Sequence, residues 1–93
     1  MRAIVQHTCA DYEAWRPVFD EHAGARKDHG CLSERVYRDA DDPNQVAVIM
    51  EWPSQAAAEG FMADASLRDA MERGGVVGPP TVTFGESAPH PAF

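Results

Sequence analysis

Long apolar runs are missing from this sequence. No stretch approaches the roughly 20 residues of a membrane span, and the opening MRAIVQHT lacks the apolar centre of a signal peptide. The expectation is therefore a cytoplasmic chain with no membrane partner. Basic stripes are missing too: 15 acidic residues against 8 basic ones leave a formal net charge of -7. That balance argues against nucleic acid and anionic membranes as partners. Cysteine is scarce. Cys9 and Cys31 are too few and too isolated for a disulfide framework or a zinc knuckle, and read as two reduced, partly buried thiols. There is no phosphate-binding loop, dinucleotide glycine pattern or nucleophile elbow, and GGVVGPP spaces its glycines as a loop does. His7, His22 and His29 show neither H-x-x-x-H nor H-x-H spacing, so no metal is expected.

What is present centres on Asp11 to Gly30, DYEAWRPVFDEHAGARKDHG. Steps of three and four residues pick out Tyr12, Trp15, Phe19, His22, Arg26 and His29, one face of an α-helix. The stripe begins aromatic and ends imidazole, guanidinium, imidazole. A helix that merely plugged a core would carry Leu, Val or Ala where His22 and Arg26 stand. The face reads as the wall of a cavity with an apolar floor and a polar rim, backed by solvated Glu13, Asp20, Glu21, Lys27 and Asp28. Asp11 suits the N-cap and Gly30 the C-terminal stop. Pro17 removes the amide that would bond Glu13, which predicts one opening turn over Tyr12 to Trp15 and a main helix from Arg16.

Arg2 to Thr8 precedes this stretch as a strand. Cys31 to Asp39 and Gln45 to Trp52 follow as a hairpin around ADDPN. Ser54 caps a second helical region with Ala57, Ala58, Phe61, Met62 and Ala65 on one face. Ser66 with Asp69 forms a capping box for a short helix, Leu67 to Arg73. Val76 to Pro80 is extended or looped, and Thr81 to Gly85 is the last strand. The order β-α-β-β-α-β predicts an α+β, ferredoxin-like fold: a four-stranded antiparallel sheet with helices on one face. With 93 residues the chain has room for one core, so residues 1–86 are expected as a single domain and 87–93 as a tail or dimer arm. AIV and VAVIM are apolar on both faces while helices cover one, which predicts a homodimer packed sheet against sheet.

The chain resembles the dimeric α+β barrel superfamily, and within it the antibiotic-biosynthesis-monooxygenase-like group. The residues that carry the likeness are VQHT, DYEAWRPVFDEHA, YRDADDPNQVAVIMEW and LRDAMERGGVVGPPTVTF. The resemblance implies a homodimer, a ligand cavity between sheet and helices in each subunit, and chemistry that often needs no cofactor. Its members include cofactor-free oxygenases of quinols and aromatic polyketides, polyketide cyclases, haem-degrading enzymes and proteins without known activity. Haem-degrading members use an Asn, Trp and His set. The only asparagine here is Asn44, in the hairpin turn, so that branch is not the expectation.

His7 and His22 are the candidate bases, since imidazole near neutrality can take a proton from a phenol or an activated C–H. Arg26 could hold an anionic oxygen or pair with a carboxylate. Trp15, Phe19, Tyr37, Trp52, Phe61 and Met62 could stack a flat aromatic ligand. Glu51, opposite Met50 and Trp52, would need Arg35 or Arg38 if buried. The expected function is a small cofactor-independent enzyme that abstracts a proton from a phenolic or polyketide-like ring, with oxygenation or cyclisation to follow. The alternative is a non-catalytic small-ligand-binding or dimeric assembly module.

Overall fold

Strand β1 (Arg2–Cys9) alternates buried and more exposed positions along its length, as a strand covered closely on one face does. The computed structural model describes residues 1–87. The later elements are α1 (Tyr12–Glu21), α2 (Ala23–Asp28), β2 (Ser33–Arg38), β3 (Gln45–Glu51), α3 (Gln55–Met62), α4 (Ala65–Arg73) and β4 (Val76–Gly85). The strands form one antiparallel sheet in the order β2-β3-β1-β4. This is the ferredoxin-like α+β arrangement expected from the sequence, with the first helical region divided at His22 and the second forming two helices, as expected. The register sets Ala3 against Met50, Val5 against Val48 and His7 against Val46. These residues form the buried inner face, packed with Trp15, Trp52, Ala58 and Phe61. The tail expected at 87–93 lies, from residue 88 onward, outside the described residues. Among the described residues no helix is long and apolar enough to cross a membrane.

The expected break at Pro17 does not occur, and α1 runs straight through it. Glu13 and Pro17 are both exposed, so water can serve the carbonyl that lost its amide partner. Asp11 does cap α1, its carboxylate accepting from the Glu13 amide at 3.1 Å. The interruption falls at His22, where ψ turns to 4°. There the Phe19 carbonyl accepts from the His22 amide at 3.2 Å and from Arg26 Nη2 at 2.9 Å. A tertiary contact has taken the acceptor that a continuing helix would use.

The second helical region also starts and divides by its caps. Ser54 accepts from the Ala57 amide at 3.1 Å, as expected. The cap of α4 is Asp64, accepting from the Ser66 amide at 2.8 Å, and so the helix begins at Ala65, ahead of the predicted Leu67. A carboxylate completes the N-terminus better than a hydroxyl because it also meets the helix dipole. Asp69 receives Arg73 Nε at 2.9 Å instead of closing a capping box. At the far end of α4, a Cβ on Gly74 would stand 3.0 Å from Trp15 Cδ1 and 3.1 Å from the Ala70 carbonyl. Glycine therefore lets α4 close onto the Trp15 ring. The segment read as extended or looped before Thr81 belongs to one continuous strand, β4. Pro79 and Pro80 are tolerated because β4 is an edge strand, and its register shifts between Gln6 and Thr8.

The outer face of the sheet is less apolar than VAVIM suggests. Ile4, Ala47 and Ile49 form a half-buried strip, with exposed Tyr37 beside Ala47 and Arg35 beside Ile49. Glu51 lies on this face and takes Arg2, not Arg35 or Arg38, through Nε at 3.2 Å and Nη2 at 3.1 Å. Arg2 and Glu51 are directly opposed in the β1–β3 register, so their pairing follows from strand alignment. Cys9 is buried, Cys31 half-buried, and both are free thiols.

Candidate functional site

Two aromatic groups, one carried by β1 and α1 and the other centred on Phe61 of α3, meet a narrow cavity beneath the helices. In the first, His7 packs on Trp15 with ring centres 5.3 Å apart, and Trp15 stacks on Phe19 at 4.9 Å. The Arg26 guanidinium continues the column, 3.8 Å above the Phe19 ring. In the second, Phe61 lies 5.7 Å from His22 and 5.4 Å from Trp52. The cavity is lined by His7, Trp15, Phe19, His22, Arg26, Phe61 and Met62, with Val18, Leu67, Ala70 and Met71 completing the helical side. Its volume is about 60 Å³. A dry engineered cavity that admits benzene measures about 150 Å³, so the space as it stands holds less than one ring.

The structure thus brings together seven of the nine residues marked in the sequence. Tyr37 is not among them: it pairs with Ala47 on the outer face and is half exposed. Trp52 does not reach the cavity either. It is fully buried behind Phe61, its indole Nε1 without a partner. Tyr12, at the head of the helical stripe, supports Arg38 by a cation–π contact of 3.8 Å. His29, at its foot, turns to Asp64, Nε2 to Oδ2 at 2.8 Å.

His7 differs from every other polar group in the site. It is buried, and its Nδ1 has no hydrogen-bond partner. Burial holds its pKa below the ordinary 6.5, opposed by the Thr8 backbone; that backbone favours the charged ring without standing in hydrogen-bond geometry to Nδ1. Burial thus favours the uncharged imidazole. With Nδ1 closed off, Nε2 is the atom a ligand can reach. His22 is better satisfied and sits nearer the rim, with Nε2 2.9 Å from the Ser66 hydroxyl. Burial lowers its pKa as well, and the Arg26 charge adds to that effect.

Arg26 is almost wholly buried, and it is compensated. Nε and Nη2 donate to the two Glu34 oxygens, and Nη2 also donates to the Phe19 carbonyl. Its first task is to hold Phe19, with much of its charge already met by Glu34. Glu34 was absent from the sequence reading, although strand parity with Val36 places it on the inner face. Leu67, Ala70 and Met71 were also missed; their spacing of three and four residues on α4 carries the signal. Among the described residues no three His, Cys, Asp or Glu side chains converge as metal ligands would.

The family model described as antibiotic biosynthesis monooxygenase matches residues 6–73. That span runs from within β1 to the end of α4 and includes every cavity residue named above from His7 to Met71. One solved structure described as an antibiotic biosynthesis monooxygenase is 21% identical, with a TM-score of 0.70, covering 96% of this chain and 100% of its own. SnoaB, a cofactor-independent oxygenase from Streptomyces nogalater, is 13% identical with a TM-score of 0.73, covering 94% of this chain and 93% of its own. At those identities the likeness establishes the fold alone. No curated protein matches the chain.

An unpartnered buried nitrogen weighs against folding, so His7 is a site where apolar replacement helps stability. His7→Leu, similar in size, should raise stability at pH 7 by about 1 kcal/mol. Because the folded-state pKa is depressed, the unfolded chain binds more protons below pH 6.5, and stability falls as pH drops through that window. The variant should lose part of this acid-side slope, the part that remains belonging to His22. Denaturant unfolding at pH 5 and pH 7 reads both quantities. A His7→Leu protein that is less stable at pH 7 would mean that the imidazole is a satisfied structural group.

Proposed function

The chain belongs to the antibiotic biosynthesis monooxygenase family, and on that premise we propose that it is a cofactor-independent enzyme that deprotonates a phenolic or polyketide-like aromatic ring, with His7 as the base. The observation that carries this reading is an imidazole, buried without a partner at Nδ1, between an aromatic column and an apolar cavity. Such an arrangement costs stability and suits a base, which must be unprotonated and free to accept. The cofactor-independent oxygenase of similar fold supports the same class of chemistry.

In this account the ring slides against Trp15 and Phe19, and His7 Nε2 accepts its acidic proton. Exclusion of water keeps the resulting anion reactive. Where dioxygen reaches an activated CH₂, that carbon is oxidised to a carbonyl and O₂ is reduced, one oxygen entering the product and the other leaving as water. Where a carbonyl of the same molecule lies close, the anion adds to it and closes a ring. Both outcomes begin with one deprotonation. Arg26 contributes mainly by fixing the Phe19 ring, because Glu34 already meets Nε and Nη2.

One observation favours the rival reading of a non-catalytic ligand-binding or assembly module: the cavity volume of about 60 Å³. Steady-state rates on an anthrone that is neutral at the assay pH separate the two. Under the enzymatic reading kcat/KM rises with pH to a plateau, with its midpoint below 6.5, since only neutral imidazole accepts the proton. His7→Ala should keep the fold and lose turnover by a factor of ~10² to 10⁴. Loss in His22→Ala alone would transfer the role to His22. Full turnover in both variants would refute imidazole catalysis, and no turnover by the native protein across a quinol and anthrone panel would favour the module.

The same reading includes a homodimer. Helices cover only the inner face, and Ile4, Ala47 and Ile49 leave an apolar strip on the outer one. A second copy packed sheet on sheet covers it most simply. Ile49→Asp should dissociate the dimer and lower its melting temperature together. Sedimentation of the native protein as a monomer at micromolar concentration would contradict it.

A further inference from the structure

A cavity of about 60 Å³ holds less than one ring as it stands, and its walls are not equally fixed. The sheet side is held by strand pairing. The α1 side is held by the Phe19–Arg26–Glu34 assembly, and α4 is held at its C-terminal end by the close approach of Gly74 to Trp15. The remaining wall is Met62, Leu67 and Met71. All three are half-buried, and all three also line a separate surface groove of about 380 Å³ along α3 and α4. They form a partition one side chain thick between cavity and groove. Two of the three are methionines, whose unbranched side chains change shape through three rotatable bonds at low cost.

The groove carries its own chemical signature. Two charged side chains line it, Asp64 and Arg68. Asp64 is already committed, one oxygen facing His29 Nε2 and the other accepting from the Ser66 amide, both at 2.8 Å. The His29 contact, followed by Ser66, holds its carboxyl down at about 2. Arg68 has no ion-pair partner within 4.0 Å among the described residues, whereas Arg73 on the same helix pairs with Asp69 and Glu21. On a chain with a formal net charge of -7, a guanidinium without an ion-pair partner among the described residues, lining a groove otherwise formed mainly by Met, Leu and Ala, offers a place for an anion.

We propose that the Met62–Leu67–Met71 partition is the substrate's way into the cavity, and that the groove beyond binds an acidic side arm of the ring substrate, its carboxylate on Arg68. This rests on the cavity being the substrate site. The ligand class is then narrower than a flat aromatic: a ring carrying a flexible arm that ends in a carboxylate. The ring stacks inside on Trp15 and Phe19. The arm passes between the thioethers.

Quenching of tryptophan fluorescence by three probes tests the proposal: 2-methylnaphthalene, a naphthylalkanoic acid with an arm of four to six carbons, and the matching primary amide. The expected result is that the acid binds roughly three- to tenfold tighter than the amide, as befits a partly exposed charge-assisted contact. Arg68→Gln, an exposed substitution that leaves the core intact, should abolish that preference and leave 2-methylnaphthalene binding unchanged. Met62→Leu with Met71→Leu, which keeps the volume of the partition but replaces unbranched side chains by branched, stiffer ones, should slow the association rate of the acid in stopped-flow, and an unchanged rate would overturn entry through the partition. If methylnaphthalene binds but acid and amide are equal, or the preference survives in Arg68→Gln, the groove proposal is overturned while the cavity reading stands. If no probe binds, the cavity reading falls and the proposal with it.

Discussion

The organisation of this molecule depends on one buried cation. Arg26 retains 3% of its exposure, with Glu34 of β2 on Nε and Nη2, the Phe19 carbonyl of α1 also on Nη2, and the Phe19 ring against its face. A guanidinium taken from water loses several kcal/mol of hydration, which only well-formed hydrogen bonds and charge pairing offset. Glu34 is about one-third exposed, so water shares in the pairing and the contact is worth less than a fully buried pair. Its structural reach is nevertheless large. It joins three elements, interrupts the helix at His22, and fixes the ring that forms one wall of the cavity.

Fixing that wall determines what the rest of the site can do. With Phe19 and Trp15 held in a stack, the imidazole of His7 has a rigid aromatic neighbour and no hydrogen-bond partner at Nδ1. Its lowered pKa follows from burial, which outweighs the opposing Thr8 backbone. In the proposed entry route, compliance is left to the wall of Met62, Leu67 and Met71, where thioethers stand in place of stacked rings. The small resting volume belongs to the same division of labour: a rigid aromatic side that positions, and a soft side that admits.

The fold was legible because hydrophobic period and turn chemistry agreed along the whole chain. Asp11, Gly30, the ADDPN turn and Ser54 all mark boundaries close to those observed. Of the stripe from Tyr12 to His29, four residues line the cavity. The exceptions have physical reasons. Pro17 reads as a break only if Glu13's carbonyl has no water, and it lies exposed. The real break at His22 could not be read, since it depends on Arg26 reaching the Phe19 carbonyl, seven residues back. Tyr37 was assigned to the cavity by aromatic type, while alternation with Val36 puts it on the other face. Trp52 was assigned the same way, yet Phe61 stands in front of it. Arg2 pairs with Glu51 because β1 and β3 are neighbours in a particular register, a fact no local pattern contains.

The central claim is that His7 is a neutral, unpartnered base facing the bound ring. The most direct measurement is a titration of its ring nitrogens by nitrogen-15 nuclear magnetic resonance, with and without a neutral anthrone. The account predicts a midpoint below 6.5 in the free protein and a change in the Nε2 signal when the ligand binds. A midpoint at or above 6.5, with both nitrogen signals indifferent to the ligand, would contradict it.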